Sequence, residues 1–234
     1  MLVVPLLMAG SFGLSRSPLQ AQTPDILQDL ESPIRPRSGV PCPSPDVYSP
    51  LRPDPAGVPT VVGLSLAFQD VAQLSDVDQT LTVDVYLLVR WRDRRLADPS
   101  RGDGSADCPM PGAELWMPAI EPDNLRTRQQ FYQAHFLVDA DGLVTVGRRF
   151  LVQVANPLDF RRFPVDTHRF RFTLWPVVSR SDEVRFVALN RFLSLNDSLT
   201  IHGWNVGTLT ASASEGARVG RAGMFARYDA TLEV

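Results

Sequence analysis

Apolar and polar residues alternate with a period of two along several stretches of this chain. In residues 80–91, Leu81, Val83, Val85, Leu87, Val89 and Trp91 share one face, and Thr80, Thr82, Asp84, Tyr86, Leu88 and Arg90 share the other. Successive side chains of a strand point to opposite sides, so this run predicts a half-buried strand. In residues 144–154 one face collects Val144, Val146, Phe150, Val152 and Val154. That run follows the turn signal Asp139-Ala140-Asp141-Gly142, with residues 131–138 as its hairpin partner. Phe170, Phe172 and Leu174 alternate with Arg169, Arg171 and Thr173. Residues 201–209 and 224–234 flank a Gly/Ser/Ala-rich stretch and read as a long hairpin with that stretch at its tip.

Helical periodicity is scarce. Residues 25–30 fit a short helix and 188–195 a single turn. Many short strands, Pro and Gly at the joints, and no strand–helix–strand rhythm predict an all-β, immunoglobulin-like β-sandwich of about ten strands with a short N-terminal helix. The sandwich is expected over residues 59–234. Before it, residues 22–58 carry many prolines and read as an extended linker. Residues 1–21 read as a secretory signal peptide, with an apolar run over 2–14 and Leu19-Gln20-Ala21 ending on a small residue. No Lys or Arg precedes that run, which is a departure from the usual pattern. An exported domain on the periplasmic or extracellular face of a bacterial membrane is the expectation.

Charge and rarer residues narrow the choice. A formal charge of −3 lacks the basic field of a nucleic-acid binder, so no nucleic-acid partner is expected. All 23 basic residues are Arg. Cys42 and Cys108 make no metal motif, but in an exported protein they can form one disulfide. His135, His168 and His202 are scattered, and no HExxH, G-x-S-x-G or P-loop pattern occurs. His168 stands near Asp166, a spacing more often seen in surface pairs than in catalytic dyads. No enzyme, cofactor or metal site is expected.

Residues 156–170 read NPLDFRRFPVDTHRF. From physics alone this is a charged connection between strands, with a fixed bend at Phe163-Pro164. It resembles the signature loop of the Cys-loop receptor family, which includes nicotinic and GABA-type receptors. Asp159, Phe163, Pro164 and Asp166 match that loop, while Asn156 and Phe170 stand where its two cysteines would be. WRDRRL at 91–96, LWMP at 115–118, DADG at 139–142 and HGWNV at 202–206 resemble further motifs of the family, in its order. The resemblance covers residues 61–234, and its pattern is similar to that of bacterial proton-gated channels.

The resemblance implies a homopentamer with an agonist pocket between neighbouring subunits. One wall would come from the loops at 116–124, 174–180 and 210–223, the other from 86–91 and the 131–146 hairpin. Tyr86 fits an aromatic position of that pocket, and Asp123 and Val177 stand at two others. Trp175, Phe225 and Tyr228 are the nearest further aromatics. A cage for a quaternary amine is therefore missing. Arg90, on the same strand face as Tyr86, makes an anionic ligand an option. For proton sensing, Asp70, Asp76 and Asp166 match acidic positions of the proton-gated relatives, while Gln79 replaces another. Asp76, Asp159, Phe163, Pro164 and Asp166 would couple the domain to a pore, Asp76 and Asp166 sharing an Arg about two residues past Val234. No segment after residue 21 offers the ~20 apolar residues a bilayer crossing needs, so the transmembrane part is expected beyond Val234. A soluble periplasmic binding protein of the same fold is the alternative, and an immunoglobulin-like adhesion module leaves the ordered motifs unexplained.

Overall fold

A computed structural model describes residues 23–75, 77–123, 125–131, 135–155, 168–199 and 206–234. Twelve strands occur among these residues, in two sheets. The first sheet is built on β1 (Thr60–Ser75), β2 (Thr80–Arg92) and β7 (Leu143–Ala155), all antiparallel. β5 (Leu125–Phe131) and β6 (His135–Val138) both pair with β7, and β3 (Ala106–Pro109) adds to β6. On the other side of β1 lie β9 (Val184–Ala188) and β10 (Ser194–Leu195), both parallel to it. The second sheet runs β11 (Leu209–Ala217), β12 (Met224–Glu233), β8 (Arg169–Pro176) and β4 (Ile120–Pro122).

The alternation in the sequence decides which side of each sheet is buried. Leu81, Val83, Val85, Leu87, Val89 and Trp91 are all buried, and across from them so are Phe170, Phe172, Leu174, Tyr228, Ala230 and Leu232. These side chains belong to one continuous apolar cluster, and Phe68 meets Phe172 between the sheets at 5.1 Å between ring centroids. Two strands differ from expectation. β5, LRTRQQF, has no apolar alternation, because it is an edge strand whose side chains are largely exposed. The Ala/Ser/Gly-rich residues of β11 are strand and not tip, since they pair with β12 from Leu209↔Leu232 to Ala217↔Met224. The tip is residues 218–223.

The family-like motifs serve the scaffold. Within WRDRRL, Asp93 caps a 3₁₀ turn by accepting from the Arg95 amide and binds the Arg95 side chain at 2.7 Å. Leu96 and Trp91 are core residues, and Trp91 packs edge-on against Trp116 of LWMP at 5.8 Å. In DADG, Gly142 has φ 77° and donates to the Asp139 carbonyl, while its own carbonyl accepts from Asp93. A Cβ there would stand 2.3 Å from the Asp93 carbonyl oxygen, so the turn and the motif before it are tied together.

The proline-rich segment corrects the linker reading. Helix α1 (Thr23–Leu30) buries Leu30, and Pro36 bridges to Ser105. Cys42 and Cys108 form a disulfide onto β3, and the Arg101 guanidinium donates to the Pro41, Leu96 and Asp139 carbonyls. The segment is thus fixed along its length. Residue 22 and the signal-peptide reading at 1–21 lie outside the described residues.

Arg90 also departs from expectation. Its position on the outer face of β2 suggested an exposed cation, but α1 covers it, leaving it 3% exposed. It donates to Thr145 Oγ1 at 2.9 Å and to the Leu30 and Ser32 carbonyls at 2.5 and 2.7 Å, with Phe192 beneath the guanidinium. The Leu30 carbonyl is one of the groups left unpaired at the end of α1, and Ser32 lies two residues beyond it. Burial lowers its pKa to about 10, which leaves it charged at neutral pH. Arg90 staples the helix to the sheet and does not face a ligand.

Candidate functional site

β8 sends Phe170, Phe172 and Leu174 inward, so its other residues, Arg171, Thr173 and Trp175, face outward. Trp175 is nonetheless only 4% exposed and stands outside the apolar core cluster. What covers it is the β11–β12 hairpin. The Arg218 and Arg227 guanidiniums lie over its ring at 5.9 and 5.6 Å. Gly216 fits against the indole, where a Cβ would come within 3.0 Å of the ring.

A polar chain fixes this arrangement. Arg218 is paired with Glu121, which sits directly across from Trp175 in the β4–β8 register, and donates to the Pro176 carbonyl at 3.2 Å. Arg221 donates to the Val177 carbonyl at 2.5 Å, and Val177 in turn donates to Ala119. Arg227 bonds Asp229, which also accepts from the Thr173 hydroxyl at 2.7 Å. The Trp175 Nε1–H is buried and has no hydrogen-bond partner among the described residues.

The structure sorts the sequence candidates on this wall. Trp175 is buried, as a core tryptophan would be, but outside the main apolar cluster and with the Arg218 and Arg227 guanidiniums over its ring. Asp123 is exposed and donates its amide to Thr173, beside the site, and Val177 forms part of its rim. Phe225 is buried on the outward side of β12, opposite Gly216. Tyr228 is corrected: it is fully buried in the core, where burial pushes its hydroxyl pKa well up, so it cannot line a pocket. Arg218, Arg227 and Glu121 were missed. Aromatic residues are the usual mark of such a wall, and the hairpin tip at 218–223 holds none. The register of β12, with Phe225, Arg227 and Asp229 on one side, was the available signal.

The remaining aromatic candidate, Tyr86, lies on the outer face of β2. Tyr86 is half-buried and lies across Gly147, where a Cβ would stand 2.2 Å from its hydroxyl oxygen. A cleft of about 330 Å³ opens beside it, lined by Ile34, Pro36, Leu88, His135 and Thr145 among others. One strand pair along, Asp84 holds Arg149 at 2.6 Å, and Arg149 lies over Phe131.

At the end of the scaffold that carries Val234, the His168 amide donates to the Val234 carbonyl and the Val234 amide returns the bond. Ala155, the residue before the signature loop, pairs with Thr80 at the end of the β1–β2 turn. Asp159, Phe163, Pro164 and Asp166, and likewise Asp76, lie outside the described residues. Asp70 is exposed, accepts from the Val71 amide at 2.8 Å and faces Asp84 across β1–β2. Glu233 is held below the usual carboxylate range by Arg169 and Thr208.

Comparison with known proteins places this geometry. Residues 47–219 match the family model of the neurotransmitter-gated ion-channel ligand binding domain. The chain belongs to that family. The match begins inside the proline-rich segment, earlier than the motifs alone indicated. A proton-gated ion channel of Gloeobacter violaceus is 32% identical over 170 residues, covering 71% of this chain and 46% of that protein. The gamma-aminobutyric acid receptor subunit beta-4 of Gallus gallus is 30% identical over 122 residues, covering 50% of this chain and 25% of the receptor subunit. This ligand-binding domain therefore spans less than half the length of these relatives. Among solved structures, AChBP from Bulinus truncatus shares the fold with a TM-score of 0.64 at 11% identity, covering 89% of this chain and 96% of that one. These relatives are channels, receptors and a binding protein, not enzymes. Among the described residues no helix is long and apolar enough to cross a membrane, and no group of His, Cys, Asp and Glu is placed to hold a metal.

Proposed function

We propose that this chain is the extracellular ligand- or proton-sensing domain of a homopentameric ligand-gated ion channel. Its agonist site lies between subunits, and its occupation is coupled to pore opening. The observation that carries this reading is the Trp175 wall: an aromatic ring on the outward side of the second sheet, surrounded by charged groups and closed by a hairpin. A sandwich that needed only stability would fill that place with a solvated face. Tyr86 and its cleft supply the facing wall from the neighbouring subunit. Export to the outer side of the membrane, with a transmembrane part beyond Val234, completes the reading.

For the stimulus, Glu233 is the described carboxylate that speaks against protons. A proton sensor needs a carboxylate whose pKa is raised by burial or crowding. Glu233 is shifted the opposite way. Asp166 and Asp76 are assigned to coupling. Joined to a pore-forming segment, the Asp166→Arg variant is expected to reduce maximal current roughly 10-fold or more, the scale on which a closed state gains when a coupling ion pair is lost. Ligand binding to the domain should stay within about 2-fold. Unchanged currents would remove the coupling role.

A further inference from the structure

We propose, resting on the reading of the Trp175 wall as the agonist side, that the site is occupied from within. Arg218 acts as a tethered ligand on Trp175, and the slot it fills is built for a guanidinium-bearing small molecule. Three observations converge. The indole is on the outward face of its sheet, yet it is 96% covered, and the cover comes from arginines and not from the core. Arg218 meets three complementary groups at once: the ring, the Glu121 carboxylate and the Pro176 carbonyl. A planar fork of N–H donors suits that set, whereas a quaternary ammonium would leave the carboxylate and carbonyl without donors. Arg218 itself comes from the hairpin tip, which is also held by the bond from Arg221 to the Val177 carbonyl, by Arg180 packed on Gly223 and, where β12 begins, by the Ser181 amide donating to the Met224 carbonyl.

The slot therefore explains the missing aromatic cage. One ring with a carboxylate beside it replaces several rings, and the cation already there is part of the chain. An incoming ligand competes with Arg218, and its binding releases the hairpin tip. Arg227 stays in either state, because it donates to Asp229, which the Thr173 hydroxyl holds in place.

Removal of the tethered cation tests this. The probe is n-propylguanidinium chloride, followed by calorimetry and by the indole N–H resonance of Trp175. Wild-type protein is expected to bind the probe at least roughly 10-fold more weakly than the variant that lacks the tethered cation. Arg218→Ala is expected to bind the probe with millimolar affinity and a shift of that resonance, and the further change Trp175→Leu should abolish it. Arg218→Met keeps an apolar stem over the ring but removes the polar latch. It should bind no probe, while amide exchange across residues 218–223 accelerates roughly 10-fold or more. A folded Arg218→Ala protein that binds no better than wild type overturns the proposal, and so does unchanged exchange in Arg218→Met. Neither measurement needs a pore or a neighbouring subunit. A domain that passes both but never gates a channel would sink the sensor reading and leave the slot standing.

Discussion

Replacing Cys42 and Cys108 with serine is expected to lower the melting temperature by roughly 10 °C. The bridge closes a sequence separation of 66 residues, and a loop of that length corresponds to about 4 kcal/mol in the chain-entropy account, with 2–4 kcal/mol the usual yield. It also acts at a vulnerable place. Cys108 sits in β3, a four-residue strand at the edge of the first sheet whose one strand partner among the described residues is β6. The proline-rich segment has no strand pairing beyond the Pro36–Ser105 bridge. Without the disulfide, that segment and β3 should loosen together, and the packing of Tyr48 on Phe136 with them. Circular-dichroism melts of the double variant, and of wild type with and without reductant, measure the effect. A change under about 2 °C would mean that the segment is held by its other contacts alone.

Arg90→Ala is expected to cost about 3 kcal/mol, the range for a buried, charged group whose hydrogen bonds are lost. The side chain leaves the Leu30 and Ser32 carbonyls and the Thr145 hydroxyl without their donor, and it removes the cation from the end of α1. An eight-residue helix has little stability of its own, so the loss should be local first. Hydrogen exchange should quicken across residues 23–32 before the core of β1, β2 and β7 is affected. If Arg90 faced a ligand instead, the variant would keep its melting temperature and the helix its protection.

The core was legible in the sequence because one rule wrote it. Each residue from Leu81 to Trp91 on the odd face is buried, and the same holds for Phe170, Phe172 and Leu174. Side-chain alternation needs no knowledge of partners. The proline-rich segment was not legible, because carbonyl oxygens hold it through Arg90 and Arg101, and acceptors of that kind leave no mark on composition. β11 was misread for a related reason. Its Ala211 and Ala213 are small inward residues beneath a hairpin, indistinguishable by composition from a flexible tip. The site suffered most. Trp175 is isolated in sequence, and the residues that define it stand at 121, 218 and 227, on three other strands or loops. Only the registers of β4 with β8 and of β12 with β8 bring them together.

Whether this domain turns a stimulus into pore opening is read from a current recording. The domain is joined to the pore-forming part of a proton-gated channel, expressed at the cell surface and exposed to acid steps and to small organic cations. The account predicts stimulus-evoked current, with Trp175→Leu moving the half-maximal ligand concentration by roughly 10-fold while surface expression holds. Current that ignores every stimulus, or a response untouched by changes at Trp175, Arg218 and Tyr86 alike, would contradict it.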